Sequence, residues 1–129
     1  MNYLYPKQIL YLYRQIVEQS GGTVGLRDEG LLDSAVYRPQ ASFGGKDLYP
    51  DLFSKAAALG YSIIRNHPFA DGNKRVGFEA MRLMLRLNHY DLQAPVGAKF
   101  DFVVGIAEGR LTEQDIADWL KAHSHPYRK

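Results

Sequence analysis

The sequence predicts an all-α fold, a single-domain helical bundle in which a short polar loop joins the two most apolar helices. Three observations carry that expectation. Apolar residues recur at helical spacing through most of the chain, and glycines and prolines fall between those stretches. Only one short segment, residues 90–92, reads as a turn or strand. The length of 129 residues is the usual size of one domain, expected to span residues 1–129.

The elements follow in order. Residues 6–19 form a helix in which Ile9, Leu10, Tyr13, Ile16 and Val17 recur at helical spacing. Pro6 suits its first turn, and Gly21 with Gly22 ends it. Asp28 caps a second helix to about Tyr37, because its carboxylate accepts bonds from the first free amides; Pro39 stops it. Residues 39–49 read as a loop containing Gly44, Gly45 and Lys46, and Pro50 begins a third helix to about residue 66. Leu52, Phe53, Ala56, Ala57, Leu59, Gly60, Tyr61, Ile63 and Ile64 cover most of its circumference, which marks a central, buried helix.

The fourth helix, about 73–87, is similarly apolar through Val76, Phe78, Ala80, Met81, Leu83, Met84, Leu85 and Leu87. A fifth covers about 97–108 and is broken by Gly109. Thr112 with Asp115 gives a capped start to a last helix, 113–123, whose inward face is Ile116, Trp119 and Leu120. The polar tail from Ser124 to Lys129 is expected to fray.

Composition narrows the function classes. Hydrophobic residues at 46% and charged residues at 23% are an ordinary globular balance, which argues against disorder. The absence of cysteine excludes disulfides, thiolate metal sites and cysteine nucleophiles, and fits a reducing cytoplasm. Lys7, Arg14 and Glu18 interrupt the first apolar stretch, so no signal peptide is expected. Nothing approaches the ~20 apolar residues of a membrane helix. A formal charge of +2 is too mild to imply direct nucleic-acid binding.

The chemistry concentrates in His67-Pro68-Phe69-Ala70-Asp71-Gly72-Asn73-Lys74-Arg75. A plain connection between helices explains part of it: Asp71 would cap the fourth helix, His67 would close the third, and Pro68 and Gly72 would make the turn. It explains the cations poorly. Lys74 and Arg75 face the positive end of a helix macrodipole, at about 0.3–1 kcal/mol per charge. An anion bound there offsets that cost. Free amides, Gly72 for close approach, and two cations make a ready phosphate site. His67 lies at its mouth as a candidate base. Asp71 can hold Mg²⁺, which takes oxygen ligands and usually shares them with phosphates. These are the parts that phosphoryl or nucleotidyl transfer requires.

The same segment resembles the signature of the Fic/Doc superfamily, and most closely the Doc (death on curing) toxin branch of bacterial toxin–antitoxin pairs. Gly25-Leu26-Arg27-Asp28-Glu29-Gly30-Leu31-Leu32-Asp33-Ser34-Ala35, followed by Arg38-Pro39-Gln40, resembles what Doc-like chains carry upstream. The resemblance covers most of residues 23–90. It implies that His67 is the general base, taking the proton of a serine or threonine hydroxyl of a target protein. It implies Mg²⁺ at Asp71, phosphate oxygens at Gly72 and Asn73, and a further phosphate at Arg75. Phe69 would pin the loop into the core.

Lys74 sets the branch. AMP-transferring Fic proteins have glycine there and a second arginine three residues past the first, where this chain has Phe78. The Doc branch carries the lysine. It implies a kinase that transfers the ATP γ-phosphate to a threonine of elongation factor Tu, halting translation and growth. Many Fic proteins also hold an inhibitory Ser/Thr-x-x-x-Glu-Gly/Asn helix in the same chain. Glu108-Gly109 comes nearest here, with Val104 at the hydroxyl position. Inhibition is therefore expected in trans, from a cognate Phd-like antitoxin whose disordered segment folds on the toxin. Three alternatives stay open: an AMP transferase that tolerates Lys74, an inactive binding module, and a ribonuclease-type toxin with His67 as base. The last lacks a second acid–base partner near His67.

Other features of the chain carry less. Residues 41–50 occupy the place of a flap that positions the target peptide in this superfamily, and read equally as a plain surface loop. His89, His123 and His125 lack a suitably spaced carboxylate for a metal site. Arg110, Lys121, Arg128 and Lys129 read as a solvated face, and Tyr11, Tyr13 and Tyr61 as core residues.

Overall fold

The computed structural model describes residues 1–22 and 25–127, and it is mostly helical, in line with an all-α bundle. Helix α1 (Pro6–Ser20) starts where Tyr5 N–H donates to Gln8 Oε1 at 2.7 Å, and ends at Gly21, whose φ of 71° favours glycine. Helix α2 (Glu29–Tyr37) starts at Asp28, which accepts from the Leu31 amide at 3.0 Å. A 3-10 turn, Arg38–Gln40, follows.

The segment read from sequence as a loop then forms a small hairpin. Strands β1 (Ser42–Phe43) and β2 (Lys46–Asp47) pair antiparallel. Gly44 and Gly45 turn it with φ of 59° and 79°, the two positive values that a tight two-residue hairpin turn demands. The exposed Phe43 stands on this hairpin.

Helix α3 (Leu52–Asn66) begins after Asp51, two residues later than Pro50, because Asp51 caps it: its carboxylate accepts from Ser54 N at 2.9 Å. The chain continues through α4 (Asn73–Leu87), β3 (Tyr90–Leu92), α5 (Val96–Ala107) and α6 (Glu113–Ala122). The Thr112–Asp115 capping box forms as expected, with bonds of 2.9 and 3.0 Å.

The tail departs from expectation. Residues Ser124–Pro126 form β4, paired antiparallel with β3 in the register Tyr90↔Pro126, Asp91↔His125 and Leu92↔Ser124. Tyr127 N–H adds a bond of 2.7 Å to the His89 carbonyl, and the Arg86 guanidinium lies 4.3 Å from the Tyr127 ring centre. The polar backbone of β3 needed a partner, and the chain returning from α6 provides it. Arg128 and Lys129 lie outside the described residues.

Helix α3 is the hub, buried among α2, α4, α5 and α6. Its crossing with α4 is close. A Cβ on Gly77 would meet Ile64 Cγ1 at 2.5 Å and the Gly60 carbonyl at 3.3 Å, and one on Gly60 would overlap Met81. Those two glycines let the helices approach, and the loop between them inherits their fixed ends. Lys55, only 2% exposed, reaches the Pro39 carbonyl at 3.1 Å and Asp47 at 3.4 Å, tying the 3-10 turn and hairpin to α3. Tyr13 is buried and Tyr61 half-buried. Tyr11, expected in the core, is 65% exposed because it lies on the solvent side of α1. Among the described residues no helix is long and apolar enough to cross a membrane.

Candidate active site

The loop between α3 and α4 is held from three sides. Phe69 is 1% exposed and stacks on Tyr13 of α1, with ring centres 4.1 Å apart and planes within 7°. The segment before α2 pairs with the loop: Ala70 N–H donates to the Gly25 carbonyl at 2.8 Å, and the amides of Arg27 and Asp28 donate to the Pro68 carbonyl at 2.8 and 3.0 Å. Asn73 clasps the loop from within. Its Oδ1 accepts from Phe69 N at 3.0 Å while its Nδ2 donates to the Phe69 carbonyl at 3.0 Å.

The caps differ from the plain reading of the sequence. Asp71 does not cap α4. Gly72 does, with φ of 77°, and the Asp71 carboxylate instead accepts from the Gly72 amide at 2.8 Å. His67 does close α3, in the left-handed region at φ 51°, an uncommon conformation for a residue with a side chain. The amide of Val76 is the first in α4 with an intrahelical acceptor, the Gly72 carbonyl at 2.9 Å. Among the described residues, the amides of residues 73–75 are therefore the helix's unpartnered donors.

One cavity of about 470 Å³ is lined by His67, Asp71, Gly72, Asn73, Lys74 and Arg75, all six residues expected from the sequence. Asp71, Lys74 and Arg75 are exposed, and among the described residues neither cation forms an ion pair. No acidic residue occupies the first turn of α4. Lys74 and Arg75 thus stand beside free amides at the positive end of the helix, an arrangement that an anion stabilises. Asn73 keeps its second Nδ2 hydrogen for such an anion.

Among the described residues no group of three or more His, Cys, Asp or Glu side chains could hold a metal ion alone. The donor set fits Mg²⁺ in a different way. Asp71 offers one carboxylate beside a phosphate cradle, and Mg²⁺ is commonly held by one or two carboxylates plus substrate phosphates. The three histidines weighed for a separate metal site, His89, His123 and His125, do not form one: His123 stacks on Trp119 at 3.9 Å, and its Nδ1 lies 2.8 Å from the Trp119 carbonyl.

One cavity residue went unseen in the periodicity of the chain. Arg27 lies in a connection with no helical pattern, and its side chain donates to the carbonyls of His67 at 2.6 Å and Asn66 at 2.8 Å. Its only sequence signal is membership of the Gly25-Leu26-Arg27 run.

A second cavity, about 530 Å³, opens next to the first between α1, α4 and α5. It is mainly apolar, with Ile16, Phe78, Val96 and Phe100 in its walls, and its charged lining is Lys74, Arg75, Lys99 and one acid, Glu79.

Comparison with known proteins gives the family. A family model described as the Fic/DOC family matches residues 3–85. The chain is 47% identical over 93 residues to a protein named Toxin Doc from Mycolicibacterium smegmatis (strain ATCC 700084 / mc(2)155), covering 72% of this chain and 67% of the relative. It is 30% identical over 122 residues to a protein named Protein kinase doc from Escherichia phage P1, covering 94% of each. The matched span contains α1 to α3, all but the last two residues of α4, and the whole loop from His67 to Arg75, so the chain belongs to the Fic/Doc family.

Proposed function

We propose that this chain is the toxin of a toxin–antitoxin pair, a protein kinase that transfers the ATP γ-phosphate to a serine or threonine hydroxyl of a target protein. The observation that carries the reading is the grouping of His67 and Asp71 around one cavity with two cations, Lys74 and Arg75, that form no ion pair among the described residues. The names of the two relatives support it. By the Doc resemblance the target is elongation factor Tu, and its modification stops translation in the cytoplasm.

The chain's residues divide the work. Arg75 grips one phosphate through its planar fork, and Lys74 places a point charge on the transferred group. The amides of residues 73–75 and the Asn73 side chain orient the remaining oxygens. Mg²⁺ at Asp71, when bound, neutralises phosphate charge. A ring nitrogen of His67 takes the proton of the attacking hydroxyl. The new bond joins that oxygen to the γ-phosphorus, the bond from the γ-phosphorus to the bridging β–γ oxygen breaks, and ADP leaves.

Inhibition in trans suits the second cavity. A mainly apolar trough whose charged lining is three cations, Lys74, Arg75 and Lys99, against one acid, Glu79, fits an amphipathic, acidic segment of a Phd-like antitoxin, which would cover the phosphate-binding cations. The test of the reaction is incubation with Mg²⁺ and elongation factor Tu, using ATP labelled at the γ- or the α-phosphate. Label from γ alone is the expected result. Label from α would move the protein to the AMP transferases, and label from neither would leave an inactive module or another target.

A further inference from the structure

The geometry points to Arg27 as the positioning residue that holds the proposed catalytic base in its working conformation, an inference that rests on the transfer reaction proposed above. We infer that its role is to lock the backbone of His67, not to bind substrate.

Three observations combine. First, His67 sits at φ 51° with a full side chain, a sparsely populated conformation that its own helix holds through one bond, from the His67 amide to the Ile63 carbonyl at 3.3 Å. Second, α3 ends there, so its last carbonyls have no intrahelical donors. Third, Arg27 meets both needs with one planar group. Its Nε donates to the His67 carbonyl at 2.6 Å and a terminal nitrogen to the Asn66 carbonyl at 2.8 Å. A guanidinium also suits the negative end of a helix dipole. The fork spans two consecutive carbonyls and so fixes the peptide plane that follows His67.

The fork is separate from what holds the rest of the loop. The amide of Arg27, not its side chain, donates to the Pro68 carbonyl, and Phe69 is pinned by Tyr13 and Asn73. Truncating the Arg27 side chain therefore leaves the loop's register and releases only the His67 peptide. The functional consequence is specific: the base swings from its place while the phosphate cradle of residues 72–75 stays intact.

The test compares Arg27→Ala and Arg27→Lys with wild type, by steady-state phosphoryl transfer and by crystal structures of the folded variants. A catalytic group misplaced by an ångström or so loses about 100-fold in rate, so kcat should fall by about that factor in Arg27→Ala. KM for ATP should stay within about threefold, because the cradle is untouched. Arg27→Lys keeps the charge but not the planar fork, and should lose most of kcat too. In the crystal structure of Arg27→Ala, His67 should leave the left-handed region. A raised KM at unchanged kcat would make Arg27 a phosphate ligand and overturn the inference. So would full activity in Arg27→Lys, or His67 unmoved in Arg27→Ala. The conformational readout needs no turnover. If wild type transferred no phosphate, the reaction would be wrong while the His67 backbone still decided the role of Arg27.

Discussion

At the scale of single residues, His67 and Lys74 carry opposite kinds of dependence. The His67 ring makes no bond that the fold relies on among the described residues, since the loop is anchored by Phe69 and Asn73. His67→Ala should therefore lower kcat about 100- to 10,000-fold, the usual weight of a general base, while the thermal midpoint stays near wild type. Rate assays beside a melting curve check it; wild-type transfer by the variant would remove His67 from the chemistry. Lys74 has no ion-pair partner among the described residues, so its charge is available to substrate. Lys74→Gly should lower γ-phosphoryl transfer by about one to two orders of magnitude, the loss of a charge-assisted bond. It also clears the space that AMP-transferring relatives leave open, and AMP transfer measured with α-labelled ATP should rise. Unchanged γ-transfer would contradict the role given to the lysine.

The elements were legible where periodicity and capping agree. The two apolar runs gave α3 and α4, and Thr112–Asp115 marked the start of α6. The hairpin at residues 42–47 was not legible, because two-residue strands carry no alternation to read; only Gly44-Gly45 hinted at a turn. The capping of α4 was misplaced because Asp71 has the chemistry of a cap, while the positive φ at Gly72 is a property of the folded loop. The helix crossing was equally hidden, since Gly60 and Gly77 become meaningful only when α3 and α4 meet. Gly77→Ala tests that crossing. Its methyl would press on buried Ile64, and overpacking offset by the better helix propensity of alanine should cost about 1–2 kcal/mol. Denaturant unfolding measures it, and a more stable variant would show that the crossing is not close-packed.

Across the whole molecule, chemistry and closure lie at opposite ends of α4. The active loop sits at its N-terminus. At its C-terminus, Asn2 bonds to Asn88 and Leu87, and β3 pairs with β4. At 1.5 Å per residue, the 15 residues of α4 separate the two by about 22 Å. Polar sequence resembles disorder, so the tail's strand is hidden in the sequence: its pairing partner lies more than thirty residues away in the chain. Removing residues 124–129 should lower stability by about 1–2 kcal/mol. It should leave kcat within about twofold, since the site is remote. A large loss of activity at retained fold would mean that the far end of α4 feeds the loop.

The grouping of six residues around one cavity was legible because they stand together in a short, charged motif between two apolar helices. Arg27 was not, because its role depends on carbonyls forty residues away. In the proposed reaction this loop moves a phosphoryl group. Intact-mass and fragment spectra of elongation factor Tu, after incubation with the purified chain, ATP and Mg²⁺, test it most directly. One phosphoryl increment is expected on a threonine, absent when His67→Ala replaces wild type. An AMP increment on the target would contradict it.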